Sequence, residues 1–423
     1  MTAEPGADGP GVLEDLPLVD GHCHSVLGGE LDPAAFALAA TEADAAPLPG
    51  ISLLDGPLGL AIRRWCAPPL DLQVGLPMDR YLARRAELGA DEVRRRLLGA
   101  ARLSHVLVDT GLDGPELIPP ADLGRAAGAE VREVVRLERV AEHLADEGVS
   151  ADGFASAYRE ALARATVDAV ATKSIVAYRV GFDIDFARPT PAEVRVAAGR
   201  WLARTGPAQG GPVRGGTAGA GPVREGTTGP GPVRSDPAGA GPGQGGPAGA
   251  GRARLDDPLL LRFVLWCAID RGLPLQIHTG FGDRDLRLAA SDPASLQGFL
   301  AAAEPSGVPV VLLHCYPYHR QAGWLAQVFP HVYVDVGLTV GQVGARADAV
   351  LAEFFELAPF GKLLFSTDGY GLPELFLVGA AQFRHSLSRL LTAWVHDGAM
   401  PATDASRVAA MVGRDSARRL YRL

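Results

Sequence analysis

Residues 19–24 read Val-Asp-Gly-His-Cys-His, a short apolar run that ends in two histidines. Side chains alternate between the two faces of a strand, so His22 and His24 would share one face and Cys23 would point to the other. Two imidazoles on one strand face can converge on a single metal ion. Such a pair is frequent by chance, and it predicts a metal site only if other ligands accompany it.

Three later apolar runs also end in a side chain that can bind a metal ion. These side chains are His278, after Leu-Gln-Ile; His314, after Val-Val-Leu-Leu; and Asp368, after Leu-Leu-Phe-Ser-Thr. Burying this many polar groups without partners is costly, and one metal ion would satisfy them together. The series therefore predicts a metal centre at the ends of several strands.

The same runs predict the fold. Eight apolar, β-branched stretches alternate with segments that can form helices, a pattern typical of parallel strands covered on both faces. Eight units favour a TIM-type (β/α)8 barrel, although periodicity alone leaves a doubly wound sheet open. The predicted strands are Leu16–His24, His105–Thr110, Val131–Glu138, Ala169–Val176, Leu275–Thr279, Pro309–His314, Val332–Val336 and Leu363–Asp368.

Two insertions interrupt this pattern. The connection Ser25–Ser104 is long and carries helical patterns, so it is expected to form a lid or wall over the strand ends. Residues 205–252 consist almost only of Gly, Pro, Ala, Arg, Thr and Gln, and Gly-Pro-Val-Arg recurs there every ten residues. This composition predicts a disordered insertion between strands 4 and 5. We expect one barrel domain over residues 12–423 and a flexible N-terminal segment, 1–11.

Composition narrows the class of protein. The formal net charge of −9 over 423 residues argues against a nucleic-acid or anionic-membrane surface. The four cysteines show no CxxC spacing and are expected to be reduced thiols of a cytoplasmic protein. We expect neither a secretory signal nor a membrane span, and a small molecule as the partner. The sequence is compatible with a monomer or a homo-oligomer.

The ordered set of ligand candidates resembles the amidohydrolase superfamily. That family carries HxH on strand 1, His on strands 5 and 6, and Asp on strand 8. The likeness covers nearly the whole chain outside 205–252. Within this superfamily the sequence resembles the N-terminal domain of FluG-type proteins. The resemblance rests on Asp-Thr-Gly at 109–111, Lys-Ser-Ile-Val-Ala-Tyr-Arg at 173–179 and Leu-His-Cys-Tyr-Pro-Tyr at 313–318.

The resemblance implies a catalytic metal centre and a hydrolase that cleaves a C–N bond. A divalent ion, expected to be Zn²⁺, would be held by His22, His24, His278 and Asp368 and would activate water. Asp368 would act as general base and then as general acid. His314 would complete the metal site or stabilise the oxyanion. FluG-type relatives imply an amide that bears a carboxylate, such as a γ-glutamyl amide.

Lys173 decides whether one or two ions are expected. Some amidohydrolases carry a carbamylated lysine on strand 4 that bridges two metals, and Lys173 falls on that run. The alternative is an ammonium group that reaches a carboxylate or a substrate anion. Tyr178, Arg179 and His319 follow strands 4 and 6 and are candidates for substrate binding, with a plain salt bridge as the alternative for Arg179.

Two other functions fit the same residues. One is a non-oxidative decarboxylase on the same barrel, with one metal and an unmodified Lys173. The other is a non-catalytic protein that binds or regulates, a relic of a FluG-type polypeptide. Detection of a carbamate would argue against the first, and turnover of an amide against the second.

Overall fold

The computed structural model describes residues 13, 15–112, 116–205 and 253–423. Within these ranges, eight strands form one parallel sheet in which each strand pairs with the next along the chain. The strands are β1 (Leu18–Cys23), β2 (Leu103–Asp109), β3 (Glu130–Arg136), β4 (Ala171–Ser174), β5 (Leu275–Thr279), β6 (Val310–His314), β7 (Val332–Asp335) and β8 (Leu363–Leu364).

Helices fill the connections and cover the outside of the sheet. In chain order they are α1 (Pro33–Ala39), α2 (Pro57–Trp65), α3 (Met78–Leu88), α4 (Ala90–Ala101), α5 (Pro120–Ala127), α6 (Leu137–Asp146), α7 (Phe154–Ala165), α8 (Val176–Arg179), α9 (Pro191–Thr205), α10 (Pro258–Arg271), α11 (Gln297–Ala303), α12 (His319–Val328), α13 (Thr339–Gln342), α14 (Ala347–Phe354), α15 (Pro373–His396), α16 (Ala402–Ala410) and α17 (Ser416–Tyr421). Short 3-10 turns lie at Pro68–Leu70, Leu288–Ala290, Pro293–Leu296, Glu304–Ser306, Gly344–Arg346 and Phe360–Lys362, and a π-helical turn lies at Met411–Asp415.

The sheet curves until its first strand meets the segment that follows its last strand. The Gly21 amide donates to the Phe365 carbonyl at 3.0 Å, and the Asp368 amide donates to the His22 carbonyl at 3.0 Å. A side chain at Gly21 would place its Cβ 3.1 Å from the Phe365 carbonyl oxygen, so glycine permits this close approach. The result is the predicted (β/α)8 barrel.

Apolar side chains pack on both sides of the barrel wall. The larger cluster lies between the sheet and the helices, and a smaller one fills the lumen. In the lumen, the last helix, α17, contributes buried residues that pack against residues of six strands. The lumen cluster consists of Val19, Leu107, Val134, Ala171, Val311, Leu313, Leu364, Ala417, Leu420 and Tyr421.

The fold agrees with the sequence prediction in its main features. All eight predicted runs overlap a strand, including the highly charged Val131–Glu138 run, which contains most of β3. The long connection after β1 is helical and holds α1 to α4. The segment expected to be disordered lies between β4 and β5, and its residues 206–252 fall outside the described part, as does the N-terminal segment 1–11. Among the described helices, none has the length and apolar character needed to cross a membrane.

Candidate metal centre

Four histidines and one aspartate meet inside the barrel, at or just beyond the carboxyl ends of four strands. The Nε2 atoms of His22 and His24 lie 3.3 and 3.5 Å from Oδ1 of Asp368. Nε2 of His314 lies 3.6 Å from Oδ2 of the same carboxylate. The His278 ring is 4.6 Å from the His314 ring, between centroids. All five side chains are buried.

A bulge in β1 turns the two histidines of the HxH pair inward. Val19 belongs to the lumen cluster, so strict alternation from Val19 would place His22 on the outer face. The pairing between β1 and β2 shifts register between Asp20 and Cys23, and a one-residue shift exchanges the faces. His22 and His24 therefore face the lumen, whereas Cys23 packs in the cluster between sheet and helices.

His314 reaches the same point through its backbone conformation. On β6, Val311 and Leu313 face the lumen, so alternation alone would turn the next residue outward. His314 instead has a φ of 67°, in the left-handed region, and Asp368 has a φ of 50°. Such angles are costly for residues other than glycine and cluster at functional sites. The Asp335 carboxylate accepts the His314 amide at 2.9 Å and so holds this turn.

Hydrogen bonds on the far side of two rings fix their orientation. Nδ1 of His22 lies 2.9 Å from Oε1 of Gln276, and Nδ1 of His24 lies 3.2 Å from the Asp109 carbonyl oxygen. Both oxygens accept, so both Nδ1 atoms carry the hydrogen, and both Nε2 atoms turn a lone pair toward the Asp368 carboxylate. Lone pairs facing an anion repel unless a cation lies between them.

Several ring nitrogens at this site have no hydrogen-bond partner among the described residues. Within the described ranges, Nε2 of His24 and both ring nitrogens of His278 and His314 are buried and make no hydrogen bond. Buried polar atoms normally have partners. The ligand atoms of His22, His24 and Asp368 all lie within 4.8 Å of one another. Imidazole and carboxylate donors at this spacing fit a divalent metal ion.

The protonation states suit metal binding. Burial lowers the pKa of His22 to about 4 and that of His314 to about 3, and it lowers the pKa of His278 well below its usual range. These imidazoles are therefore neutral at pH 7. The pKa of Asp368 lies well below its usual range, although burial alone would raise it. The site thus combines neutral nitrogen donors with one anionic carboxylate.

Lys173 projects into the same space from β4. Its Nζ lies 3.0 Å from Nε2 of His22, and its side chain is fully buried. Burial lowers the pKa of Lys173 to about 8, although the nearby carboxylates of Asp109 and Asp368 act in the opposite direction. A fraction of the amine is therefore uncharged near neutral pH.

Comparison with known proteins identifies the family of this barrel. The family described as Amidohydrolase matches residues 129–423. The chain belongs to the amidohydrolase family. Protein fluG of Emericella nidulans is 41% identical over 152 residues, which make up 36% of this chain and 17% of that protein. The match to fluG therefore spans less than a fifth of the length of that relative.

Solved structures extend the likeness over the whole barrel. A Lactobacillus casei protein classed as a metal-dependent hydrolase is 25% identical, with a TM-score of 0.75 over 97% of this chain and 96% of that one. Glucuronate isomerase from Caulobacter crescentus is 15% identical, with a TM-score of 0.57 over 99% and 95% of the two chains. Uronate isomerase from Bacillus halodurans is 12% identical, with a TM-score of 0.56 over 97% and 94%. The isomerases share the fold of this amidohydrolase.

Of the residues proposed to bind substrate, Tyr178 lies beside the amidohydrolase site. Its ring is 4.6 Å from that of His278, and its hydroxyl accepts the Asp283 amide at 3.3 Å. The space here is tight, because a Cβ at Gly282 would lie 2.1 Å from the Tyr178 hydroxyl. Tyr178 therefore forms part of the wall next to the ligand candidates.

The other two candidates engage carboxylates of the protein. Nη2 of Arg179 lies 2.9 Å from Oε1 of Glu142, and Nε2 of His319 lies 2.7 Å from Oε2 of Glu353. Both basic side chains are more than 90% buried. The structure thus does not bring Arg179 or His319 into contact with the metal ligand candidates.

Sequence reasoning did not single out two residues that act on this site. Gln276 orients His22, and the signal was a polar side chain two positions before His278 on the same strand face. Glu42, in the connection after β1, had no such signal. Burial and the nearby carboxylates of Asp368 and Asp283 raise the pKa of Glu42 to about 8.

Proposed function

We propose that this amidohydrolase is a metal-dependent enzyme that hydrolyses a C–N bond of the amide type. The observation that supports it most is the pair of buried Nε2 atoms of His22 and His24 that lie 3.3 and 3.5 Å from Oδ1 of Asp368. The likeness to a metal-dependent hydrolase over nearly the full chain adds support. We further propose that residues 12–423 form one domain.

The proposed ligands are His22, His24, His278 and Asp368, with Zn²⁺ as the expected ion. A divalent ion bound there would supply Lewis acidity, which polarises a carbonyl group and lowers the pKa of a bound water. The bulge in β1 and the left-handed turn at Asp368 would hold these side chains in place before substrate arrives. Such preorganisation avoids a cost at the moment of reaction.

Asp368 and His314 are the proposed catalytic residues. Amide hydrolysis needs a base that removes a proton from the attacking water and an acid that protonates the leaving nitrogen. Asp368 would do both, because its carboxylate lies among the ligand candidates and is ionised at neutral pH. His314, 3.6 Å from Asp368, would serve as a further ligand or stabilise the negative charge that develops on the carbonyl oxygen.

Lys173 enters this proposal in one of two forms. Its lowered pKa leaves part of the amine free to add CO₂, and the resulting carbamate would be an anionic ligand that bridges two ions. As an ammonium group it would instead stabilise Asp368 or a substrate anion. Intact-protein mass spectrometry in bicarbonate, with Lys173→Met as the control, distinguishes the two forms by the mass of one added CO₂.

The proposed substrate is an amide that bears a carboxylate, such as a γ-glutamyl amide. This part of the proposal rests on the similarity to fluG. Tyr178, beside His278, is the proposed substrate contact. Arg179 and His319 would reach a substrate only by leaving Glu142 and Glu353.

A substrate panel with metal removal tests the proposal. Purified protein is assayed for metal content and then for amine release from γ-glutamyl amides and from N-acyl amides that lack the carboxylate. We expect chelation to abolish release and Zn²⁺ to restore it. Asp368→Asn should be inactive, whereas Asp348→Asn, at a surface ion pair with Arg389, should match the wild type.

Three outcomes would overturn the proposal. Protein that takes up no metal would remove its basis. Release of CO₂ from carboxylic acids without amine release would indicate a decarboxylase. Ligand binding without turnover of any compound in the panel would indicate a protein that binds or regulates.

A further inference from the structure

A glutamine lies directly beneath the proposed metal centre. On β5, Leu275 and Ile277 pack in the outer cluster, so Gln276 and His278 face the lumen. Gln276 is fully buried. Its Oε1 lies 2.9 Å from Nδ1 of His22, and its Nε2 lies 2.8 Å from the Gly21 carbonyl oxygen. This amide thus bridges two points of β1.

The Gly21 carbonyl determines which way this amide points. A carbonyl oxygen only accepts, so the nitrogen of Gln276 must face Gly21 and the oxygen must face His22. Nδ1 of His22 therefore donates its hydrogen to Gln276. The opposite nitrogen gives the same answer, because Nζ of Lys173 donates to Nε2 of His22 at 3.0 Å. Both sides of the ring select the tautomer with the hydrogen on Nδ1 and the lone pair on Nε2, the nitrogen proposed to bind the metal ion.

The second hydrogen of the Gln276 amide leads to the last helix. Nε2 of Gln276 lies 2.9 Å from the hydroxyl oxygen of Tyr421, in α17. Ala417, Leu420 and Tyr421 of this helix pack in the lumen cluster. Burial raises the pKa of the Tyr421 hydroxyl, which therefore stays neutral. A continuous chain of hydrogen bonds thus joins the helix in the lumen to His22.

We propose that Gln276 and Tyr421 are positioning residues for the metal site. Tyr421 holds the Gln276 amide, and Gln276 holds the His22 ring in the tautomer and orientation that bind metal. Partners behind a metal-binding histidine commonly affect metal affinity in this way. The packing of α17 therefore contributes to metal affinity from the opposite end of the lumen. This inference rests on the proposed metal centre.

Metal affinity tests the chain of hydrogen bonds. Zn²⁺ dissociation constants are measured by competition with a chromophoric chelator on the full-length protein. We expect Gln276→Leu to weaken Zn²⁺ binding by roughly 10- to 100-fold and Tyr421→Phe, which removes one oxygen, by roughly 3- to 10-fold. Tyr158→Phe is the matched control: its buried hydroxyl donates to the Leu137 carbonyl, in the helical layer, and its affinity should equal that of the wild type.

The double variant shows whether the two residues act in series. If Tyr421 acts only through Gln276, the Gln276→Leu/Tyr421→Phe protein binds Zn²⁺ no more weakly than Gln276→Leu alone. Losses that multiply, or wild-type affinity in Gln276→Leu, would overturn the inference.

Histidine NMR measures the tautomer directly in the metal-free wild type. With ¹⁵N-labelled histidine, the His22 signals are identified by their absence from His22→Gln, and we expect the Nδ1–H tautomer. The Nε2–H tautomer would overturn the inference whether or not the protein binds metal. Protein with the expected tautomer but without Zn²⁺ uptake would overturn the proposed function and leave the hydrogen-bond assignment standing.

Discussion

The two ends of the barrel lumen differ in their side chains: the mouth is polar and the floor is apolar. At the mouth, His278 and His314 carry buried ring nitrogens without hydrogen bonds among the described residues, and His314 and Asp368 have left-handed backbone angles. At the floor, apolar side chains from six strands and α17 pack against one another. Gln276 and Tyr421 lie between the two and connect them.

The contrast separates what the chain needs for function from what it needs for stability. Unpartnered polar groups and left-handed angles cost folding free energy, and functional sites commonly contain them. Buried apolar packing supplies folding free energy without chemistry. Substitutions at the mouth should therefore lower the activity strongly and the free energy of unfolding only slightly. Substitutions at the floor should lower the free energy of unfolding and leave the activity of the folded protein intact.

The largest effect should come from removing the charge at the mouth. Asp368→Asn keeps the shape of the side chain but loses the proposed base and an anionic ligand. We expect amide hydrolysis to fall by about 10³- to 10⁴-fold. The free energy of unfolding of the metal-free protein should change far less than the activity, because the substitution keeps the volume of the side chain and leaves no cavity. Steady-state kinetics and urea unfolding provide the two measurements.

Asp348→Asn is the control for this variant, since its carboxylate is exposed and pairs with Arg389. It should change neither quantity appreciably. A large loss of stability in metal-free Asp368→Asn would show that the mouth also stabilises the fold. The proposed division between a functional mouth and a stabilising floor would then be wrong.

The next effect concerns the floor. Leu107 lies fully buried in the lumen cluster, and Leu107→Ala leaves a cavity there. We expect the free energy of unfolding to fall by about 2–5 kcal/mol. The activity per folded molecule should persist, because Leu107 belongs to the apolar lumen cluster, which contains none of the proposed ligands. Leu357→Ala, at an exposed position, is the control and should have a small effect on unfolding. Loss of Zn²⁺ affinity in folded Leu107→Ala would break the separation between the two ends.

Much of the mouth could be predicted from the sequence because strand ends in a parallel barrel share one edge. That rule alone brings His22, His278, His314 and Asp368 to the same end once eight runs are recognised. It worked for β3 as well, although the charges of Glu130–Arg136 also suit a helix. The barrel and the metal site were predicted from the order of all eight apolar runs, because no single run was sufficient.

The local geometry could not be predicted in the same way. Simple alternation from Leu313 turns His314 outward, and only the left-handed φ brings it back. That conformation is held by Asp335, which is 21 residues away in sequence. The links of Gln276 to Gly21 and Tyr421 span 255 and 145 residues, and no local pattern reports them. Short apolar runs carry no information about tertiary contacts between residues that are far apart in the sequence.

The smallest effect is a pH dependence that belongs to the mouth. Burial brings the pKa of His314 to about 3, compared with about 6.5 in an unfolded chain. Between these values the unfolded state binds a proton that the folded state does not, so the contribution of neutral His314 to stability falls as the pH falls. Asp335, whose pKa burial raises to about 6, acts in the opposite direction, and the total slope is therefore not informative.

The informative quantity is the difference between wild type and His314→Gln, measured by urea unfolding of metal-free protein from pH 7 to pH 4.5. We expect the stability of the wild type relative to the variant to decrease by about 1 kcal/mol per pH unit below pH 6.5. His396→Gln, at a side chain that is 87% exposed, should show no such trend. A difference that is constant with pH would mean that His314 takes up its proton in the folded state. The nitrogens at the mouth would then bind protons readily, and the contrast with the floor would lose its electrostatic basis.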